Sequence, residues 1–453
     1  MKYMLRFFKA DGEGKFPRFV LKKAVQVLIL LQCFCNVGSL CAEERPGSNV
    51  SPFSYSLLFR GEGEWIDQGN SLLNPVNILE RTGERYEGFL LGSALYRGFG
   101  GTVETELRLG YEYLAWESFA VSFDDDEFSS VVNQLYYRTS SESLSFVLGR
   151  KKVRWGVGYS YSPTDLITQL KNPEDPNDRL SRVEGADLVQ LSYFNGSGQL
   201  DLVYFPDLDW DFGDDFIVKN RGGLRWYQFV DPFDLSFVGM IDDDGEWAAG
   251  LNTSVAVGDA LELHAEYLYS SENNRRYPDT GASPEQFLYP YLPSSGDGVH
   301  DVVVGGQYTF ENNLNLTLEY LYRSSGYSDS EFDAYYNHIA WLNDQFMLLV
   351  DKSPAISGLG EAAMNFVTPQ RNHYLFTRLY HPELVKFISF EMYSYVALED
   401  GSGLFVVTPT FKGSDAFDVY FRLKKFWGER DSEFGLVPED LSAIVGVSLY
   451  MGG

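Results

Sequence analysis

Along residues 103–113 the chain alternates without a break. Val103, Thr105, Leu107, Leu109, Tyr111 and Tyr113 fall on one set of positions, and Glu104, Glu106, Arg108, Gly110 and Glu112 on the other. Residues 261–269 repeat the pattern, with Leu261, Leu263, Ala265, Tyr267 and Tyr269 set against Glu262, His264, Glu266 and Leu268. In 314–323, Leu314, Leu316, Leu318, Tyr320 and Tyr322 oppose Asn315, Thr317, Glu319 and Arg323. In 417–424, Phe417, Val419, Phe421 and Leu423 oppose Asp418, Tyr420, Arg422 and Lys424. Successive side chains of a strand point to opposite faces, so each segment predicts a strand with one apolar and one charged side. Strands of a soluble sandwich run to about 5–6 residues. These segments reach about ten, the length a tilted strand needs to cross a bilayer, and tyrosines gather at their ends as an interfacial girdle requires.

The connections alternate as well. Short links rich in Gly, Asn, Asp, Ser and Pro fall at 98–100, 140–142, 196–198, 231–233, 258–260, 311–313, 382–384 and 412–416. Longer ones lie between them, among them 66–84, 154–182, 271–298, 352–370 and 428–440. Short turns on one rim and long loops on the other are the pattern of a transmembrane barrel. The fold class is therefore all-β: an antiparallel up-and-down transmembrane barrel of about 18–20 strands, with short periplasmic turns and long extracellular loops. Tracing strands between the turns gives about twenty, with eighteen as the competitor. The weakest strands are 199–206 and 234–241, and 334–351 reads as one strand or a hairpin. Leu107, Leu109, Leu316, Leu318 and Phe421 should face hydrocarbon, whereas Thr317 should accept arginine at little cost. Alternation begins by Phe53, which leaves no room for a plug of about 100 residues and argues against a gated siderophore transporter.

The first 42 residues change the picture. Seven Lys and Arg between Lys2 and Lys23 precede the apolar run 25–34, and the segment ends Ser39-Leu40-Cys41-Ala42. A basic region, about ten apolar residues and a small exit residue make a secretory signal peptide, with cleavage after Ala42. The basic region is long enough that translation could start later. A lipoprotein signal is excluded because Leu40 occupies the place before Cys41 where a small residue is wanted. Residues 43–453 then form a single outer-membrane barrel domain without cysteine, since Cys33, Cys35 and Cys41 all precede the cut. That excludes thiolate metal sites and cysteine nucleophiles. The chain holds 36 basic and 64 acidic residues; without the seven and two of the leader, 29 oppose 62, a net charge near −33. Nucleic acid is excluded as a partner, because its phosphates need Lys and Arg. The expected partners are outer-membrane lipid, lipopolysaccharide and the barrel-assembly machinery.

Glu104, Glu106, Arg108, Glu112, Arg138, Glu262, Glu266, Glu319, Arg323, Arg422 and Lys424 are the expected lumen residues. Such charges would be intolerable in a dry sandwich core, but in a barrel they line water and set selectivity. They could also form ion-pair ladders that fill the lumen; a barrel of about 16 or more strands usually leaves an aqueous channel. Acidic clusters at Asp124-Asp125-Asp126-Glu127, at Asp207, Asp209, Asp211, Asp214 and Asp215, and at Asp242-Asp243-Asp244 are placed in outer connections. They read as a solvated rim rather than a Ca²⁺ site, because no EF-hand spacing frames them.

The stretch Gly149-Arg150-Lys151-Lys152-Val153-Arg154-Trp155-Gly156-Val157-Gly158 continues through Ser162-Pro163-Thr164-Asp165 to Asn172-Pro173-Glu174-Asp175-Pro176. Over residues 149–185 it resembles a strand end and loop of large outer-membrane barrels of the alginate-export and related porin-like groups. The resemblance implies an outer-membrane location and a transport or export role. Lys171, Arg179 and Arg182 make this loop a constriction candidate if it folds inward; capping the outside is the other path.

Enzyme chemistry finds no support. The histidines (His264, His300, His338, His373, His381) are scattered, and neither a Gly-x-Ser-x-Gly elbow nor a phosphate-cradling glycine loop is present. No cofactor and no metal are expected. The last strand, 441–450, ends on Tyr450, three residues short of a terminal aromatic. The function expected is a porin-like channel for small or oligomeric solutes; the alternative is a non-conducting surface or assembly barrel that binds polysaccharide or envelope components. Solute and oligomeric state are left open.

Overall fold

The computed structural model describes residues 51–452 apart from 70, 118–121, 168–182, 207–219, 295, 297 and 367–368. The leader, Lys171, Arg179, Arg182 and the acidic run from Asp207 to Asp215 lie outside the described residues.

The wall begins with β1 (Phe53–Gln68), β2 (Glu84–Gly98), β3 (Gly101–Glu117), β4 (Ser122–Ser140), β5 (Leu144–Lys151) and β6 (Ala186–Asn195). It continues through β7 (Gly198–Phe205), β8 (Arg221–Val230), β9 (Phe233–Asp242), β10 (Trp247–Val257) and β11 (Leu261–Ser270). A small ribbon of β12 (Arg276–Pro278) and β13 (Tyr291–Pro293) leaves the wall there. The wall resumes with β14 (Val299–Thr309), β15 (Asn315–Arg323), β16 (His373–Val385), β17 (Ile388–Ala397), β18 (Gly403–Ser414), β19 (Phe417–Trp427) and β20 (Glu439–Gly452). Wall strands pair antiparallel with their sequence neighbours in one 18-stranded sheet, and β1 pairs with β20 to close it. Leu57 lies opposite Met451 and Trp65 opposite Ala443 along that seam. Closure satisfies the backbone groups that an open edge would leave bare in hydrocarbon.

Eighteen strands, rather than twenty, follow from one segment. Residues 334–351, expected as a strand or hairpin, lie mostly in helix α1 (Asp329–Leu348), followed by α2 (Ser353–Met364). Ser328 caps α1: its side chain accepts from Glu331 N while Glu331 reaches back to Ser328 N at 2.7 Å. Phe332, Tyr335, Ile339, Leu342 and Phe346 form the buried stripe, spaced by three and four as a helix requires. The two weak strands are real, as β7 and β9. The turn expected at 382–384 sits at Lys386-Phe387, because β16 runs on to Val385. Asp124 to Glu127 belong to β4 rather than to a connection, with Asp124 opposite Ala115 and Asp126 opposite Tyr113. Phe99 and Gly100 both take positive φ, 56° and 76°, and so match the twist of β2 and β3 in a two-residue hairpin turn.

On the outer face Phe59, Leu135, Leu148, Leu202, Leu251, Leu318, Phe421 and Val445 stand exposed, the apolar band that a bilayer covers. The inner face is not uniformly polar. Val303, Leu321, Tyr374, Phe376, Tyr393, Tyr395, Leu404, Val406 and Phe426 form an apolar inner wall over β14–β19. Tyr136, Val147, Leu188, Val203, Phe205 and Val238 form a second over β4–β9. A third core lies outside the strands. Leu73 of the β1–β2 loop, Tyr289 and Tyr291 beside the ribbon, Tyr327, Tyr335, Ile339, Leu342 and Leu359 of the helical loop, and Leu436 of the β19–β20 loop pack together as a cap. Burying such side chains contributes about 1.5–3 kcal/mol each.

Candidate constriction inside the barrel

The β5–β6 connection decides what the lumen can be. Its first stretch, 152–167, runs inward and touches both apolar inner walls. Val153, Trp155, Leu166 and Ile167 pack on the β4–β9 wall, and Tyr159 and Tyr161 on the β14–β19 wall. Tyr159 stacks on Phe376 with ring centroids 5.8 Å apart.

Two carboxylates fasten it. Glu266 on β11 accepts from Val157 N at 2.6 Å, Gly158 N, Ser162 Oγ at 2.8 Å, Thr164 N at 3.0 Å and Thr164 Oγ1 at 2.6 Å. Glu319 on β15 accepts from Tyr159 N, from Ser160 N at 2.6 Å and from Ser160 Oγ at 2.5 Å, with His264 Nε2 at 2.7 Å. Each is 1% exposed. A carboxylate offers about four lone-pair directions, so both are saturated. Asn252 on β10 adds bonds to Trp155 O at 2.9 Å and Thr164 Oγ1 at 2.8 Å. Asp165 ties the loop to itself, accepting from Trp155 N at 2.6 Å and Gly156 N at 2.7 Å. Gly250 lets Thr164 approach: a Cβ there would lie 2.6 Å from Tyr267 O and 3.2 Å from Thr164 Cγ2.

Glu266 and Glu319 were expected to line water; they are instead shielded by the loop they hold. Thr317, also expected to face water, is wholly buried. The other expected lumen residues divide. Glu104 accepts from Tyr136 OH at 2.5 Å, and Glu106 accepts from Asn133 Nδ2 at 3.0 Å and pairs with Lys152 of the loop. Arg108 lies 3.4 Å from Glu87, and Arg85 links Glu87 and Glu112. Lys424 pairs with Glu439 at 2.9 Å, and Arg422 lies over the Tyr420 ring at 5.6 Å. Arg323 lies 3.8 Å from Asp301 and over the Tyr161 ring at 5.1 Å. Arg138 and Glu262 are exposed.

Water reaches part of this set. The side chains of Arg85 and Glu112 keep 33% and 31% of their exposure, against 0% for Glu319. Arg85 and Glu112 belong to β2 and β3, strands that the described loop touches through Lys152 and Glu106. Sequence reasoning missed Arg60, Glu87, Arg378 and Glu391 on the same inner face. Arg60 alternates with the outward Phe59 and Gly61, and that alternation was the signal for it. Asn252 and Asp165 gave no such signal, since their roles exist only once the loop's path is known.

No sequence-family model matches the chain, and neither does any curated protein sequence. Among solved structures it is similar to Pseudomonas aeruginosa OccK7 (OpdD), at 10% identity and a TM-score of 0.54, over 89% of this chain and 100% of that one. Acinetobacter baumannii OccAB1 matches at 9% identity and TM-score 0.54, over 89% and 97%. Pseudomonas aeruginosa OccK5 (OpdH) matches at 9% and 0.52, over 90% and 100%. At this identity the likeness is one of fold: the chain is a closed 18-stranded barrel of the kind seen in bacterial outer-membrane porins.

Proposed function

We propose that the protein is an outer-membrane channel for small solutes, narrowed by the 152–167 loop. One observation carries this reading: the inward loop shields one part of the inner surface while Arg85 and Glu112 stay open to solvent. Glu104, Glu106, Arg108, Glu112, Arg138, Glu262, Arg323, Arg422 and Lys424 then act on the passing solute. Lys171, Arg179 and Arg182 follow in the same loop's sequence and are the residues to reverse in charge when the constriction is tested. Glu266 and Glu319 act as fasteners. No step of bond making or breaking is needed.

The packed cap favours a second reading, in which a rigid outer platform binds envelope polysaccharide and the lumen conducts little. The test is the purified barrel in planar bilayers. Discrete conductance steps, together with liposome swelling in small neutral sugars, support the channel; an insulating barrel supports the platform. The alginate-export side of the resemblance at 149–185 bears only on cargo, so short uronic-acid oligomers belong among the solutes tried.

A further inference from the structure

The β19–β20 loop buries a carboxyl without a counter-charge. Glu433 is wholly buried; it accepts from Gln370 N at 2.7 Å, Arg371 N at 3.3 Å and Tyr374 OH at 2.6 Å. Its own N–H donates to Asp400 Oδ2 at 2.9 Å, which brings a second carboxylate beside it. Among the described residues no Lys or Arg pairs with it. The Arg371 guanidinium turns away to Asp329 at 2.5 Å and to the Phe332 ring at 4.7 Å. Arg323, at the end of β15, is engaged by Asp301 and Tyr161. The remaining titratable neighbours are Tyr374 on β16 and Tyr395 on β17.

The position of this group gives it leverage. Gln370 and Arg371 are the return limb of the helical loop. Phe434, next to Glu433, packs into the inner wall with Tyr395 and Phe426. Leu436 packs into the cap, and its carbonyl accepts from Ser71 of the β1–β2 loop at 2.6 Å. One short loop therefore bolts the cap to the barrel, and its central bond is made by a carboxyl.

We propose that Glu433 is a proton-operated latch that holds the helical cap on the barrel mouth when protonated and loosens it when ionised. Burial, abetted by Asp400 and only partly opposed by the Tyr374 and backbone bonds, pushes the carboxyl from 4.5 up to about 7. A raised value in the closed state means that protons favour closure. Closure is strongest below the open-state value and weakens as pH rises through about 7. A shift of this size changes the closed-to-open ratio by on the order of a hundredfold between pH 4 and pH 8.

Hydrogen exchange on the reconstituted full barrel reads the latch directly, in peptides covering 428–438 and α1. After correction for intrinsic rates, exchange should quicken by at least about tenfold from pH 5 to pH 8. Glu433→Gln should remain slow throughout, while Asp431→Asn, at an exposed neighbour, should keep the wild-type profile. Asp400→Asn should move the midpoint to lower pH, which tests the latch even if Glu433→Gln does not fold. A flat wild-type profile, a Glu433→Gln profile that still responds, or an Asp400→Asn midpoint that stays put overturns the proposal. The readout needs no conductance, so its failure leaves the channel reading standing.

Discussion

The inner surfaces of β2–β3 and of β14–β19 come from strands with the same alternation, yet one is wet and charged and the other dry and aromatic. On β3, Glu104, Glu106, Arg108 and Glu112 find partners within reach and keep some water. On β16 and β17 the inward positions are Tyr374, Phe376, Tyr393 and Tyr395, all buried, followed by the buried Arg378–Glu391 pair. The difference lies in what covers them: the 152–167 loop lies over the aromatic wall and converts its inner face into a protein core. Glu319, a charge within that dry region, is tolerated because loop N–H groups replace its water. An inward-facing position is thus defined by the loop above it as much as by its strand.

Breaking the fastening should have the largest effect. Glu266→Ala leaves Val157 N, Gly158 N and Thr164 N without an acceptor, each buried donor costing about 1–3 kcal/mol. The loop should leave the wall, conductance should rise severalfold and 152–167 should become protease-sensitive. Glu266→Gln, which keeps one acceptor oxygen, should fall between; unchanged conductance in both would remove the loop from the passage.

Next comes the outer face. Leu318→Arg should destabilise by about 2–4 kcal/mol near the midplane. Thr317→Arg, one residue before and fully buried, should destabilise by at least as much, because it buries a guanidinium directly opposite Arg378. Urea titration of the lipid-reconstituted barrel measures both, and tolerance at Thr317 would mean that the dry wall is in fact wet. Gly250→Ala should cost about 1–3 kcal/mol in the same titration, because its Cβ would meet the Tyr267 carbonyl at 2.6 Å and the paired strand cannot yield as a side chain would. The smallest effect belongs to the wet wall. The acidic excess should give a mild cation preference that fades with salt over a Debye length of ~8–10 Å. Glu104→Gln with Glu112→Gln should reduce the reversal potential in a KCl gradient without altering stability, and no change would remove these carboxylates from the ion path.

Most of the wall was legible in the chain. Strand and turn positions follow from period-two alternation and from pairs such as Phe99-Gly100, because those signals are local. The helix at 329–348 was legible too, in the Ser328-x-x-Glu331 box and the three-and-four spacing of Phe332, Tyr335 and Ile339. It was missed because neighbouring strands set the expectation. Glu266 was recognised as an inward acid, but its role was not legible. Five donors from residues more than 100 positions away converge on it only after the sheet has closed. The aromatic inner wall was hidden for the same reason, since Leu404-Phe405-Val406-Val407 is apolar on both faces and no periodicity says which of them meets lipid.

The shared core of the cap also bears on how the loops of this protein can diversify. Outer loops of barrels usually vary independently, because each ends in solvent and tolerates insertion. Here Leu73, Tyr291, Ile339 and Leu436 come from separate loops yet occupy one interior. An insertion or swap in any of them must be matched in the others. Sequence change and loop grafting should therefore act on these segments as a block, leaving only their solvent-facing tips free to change alone.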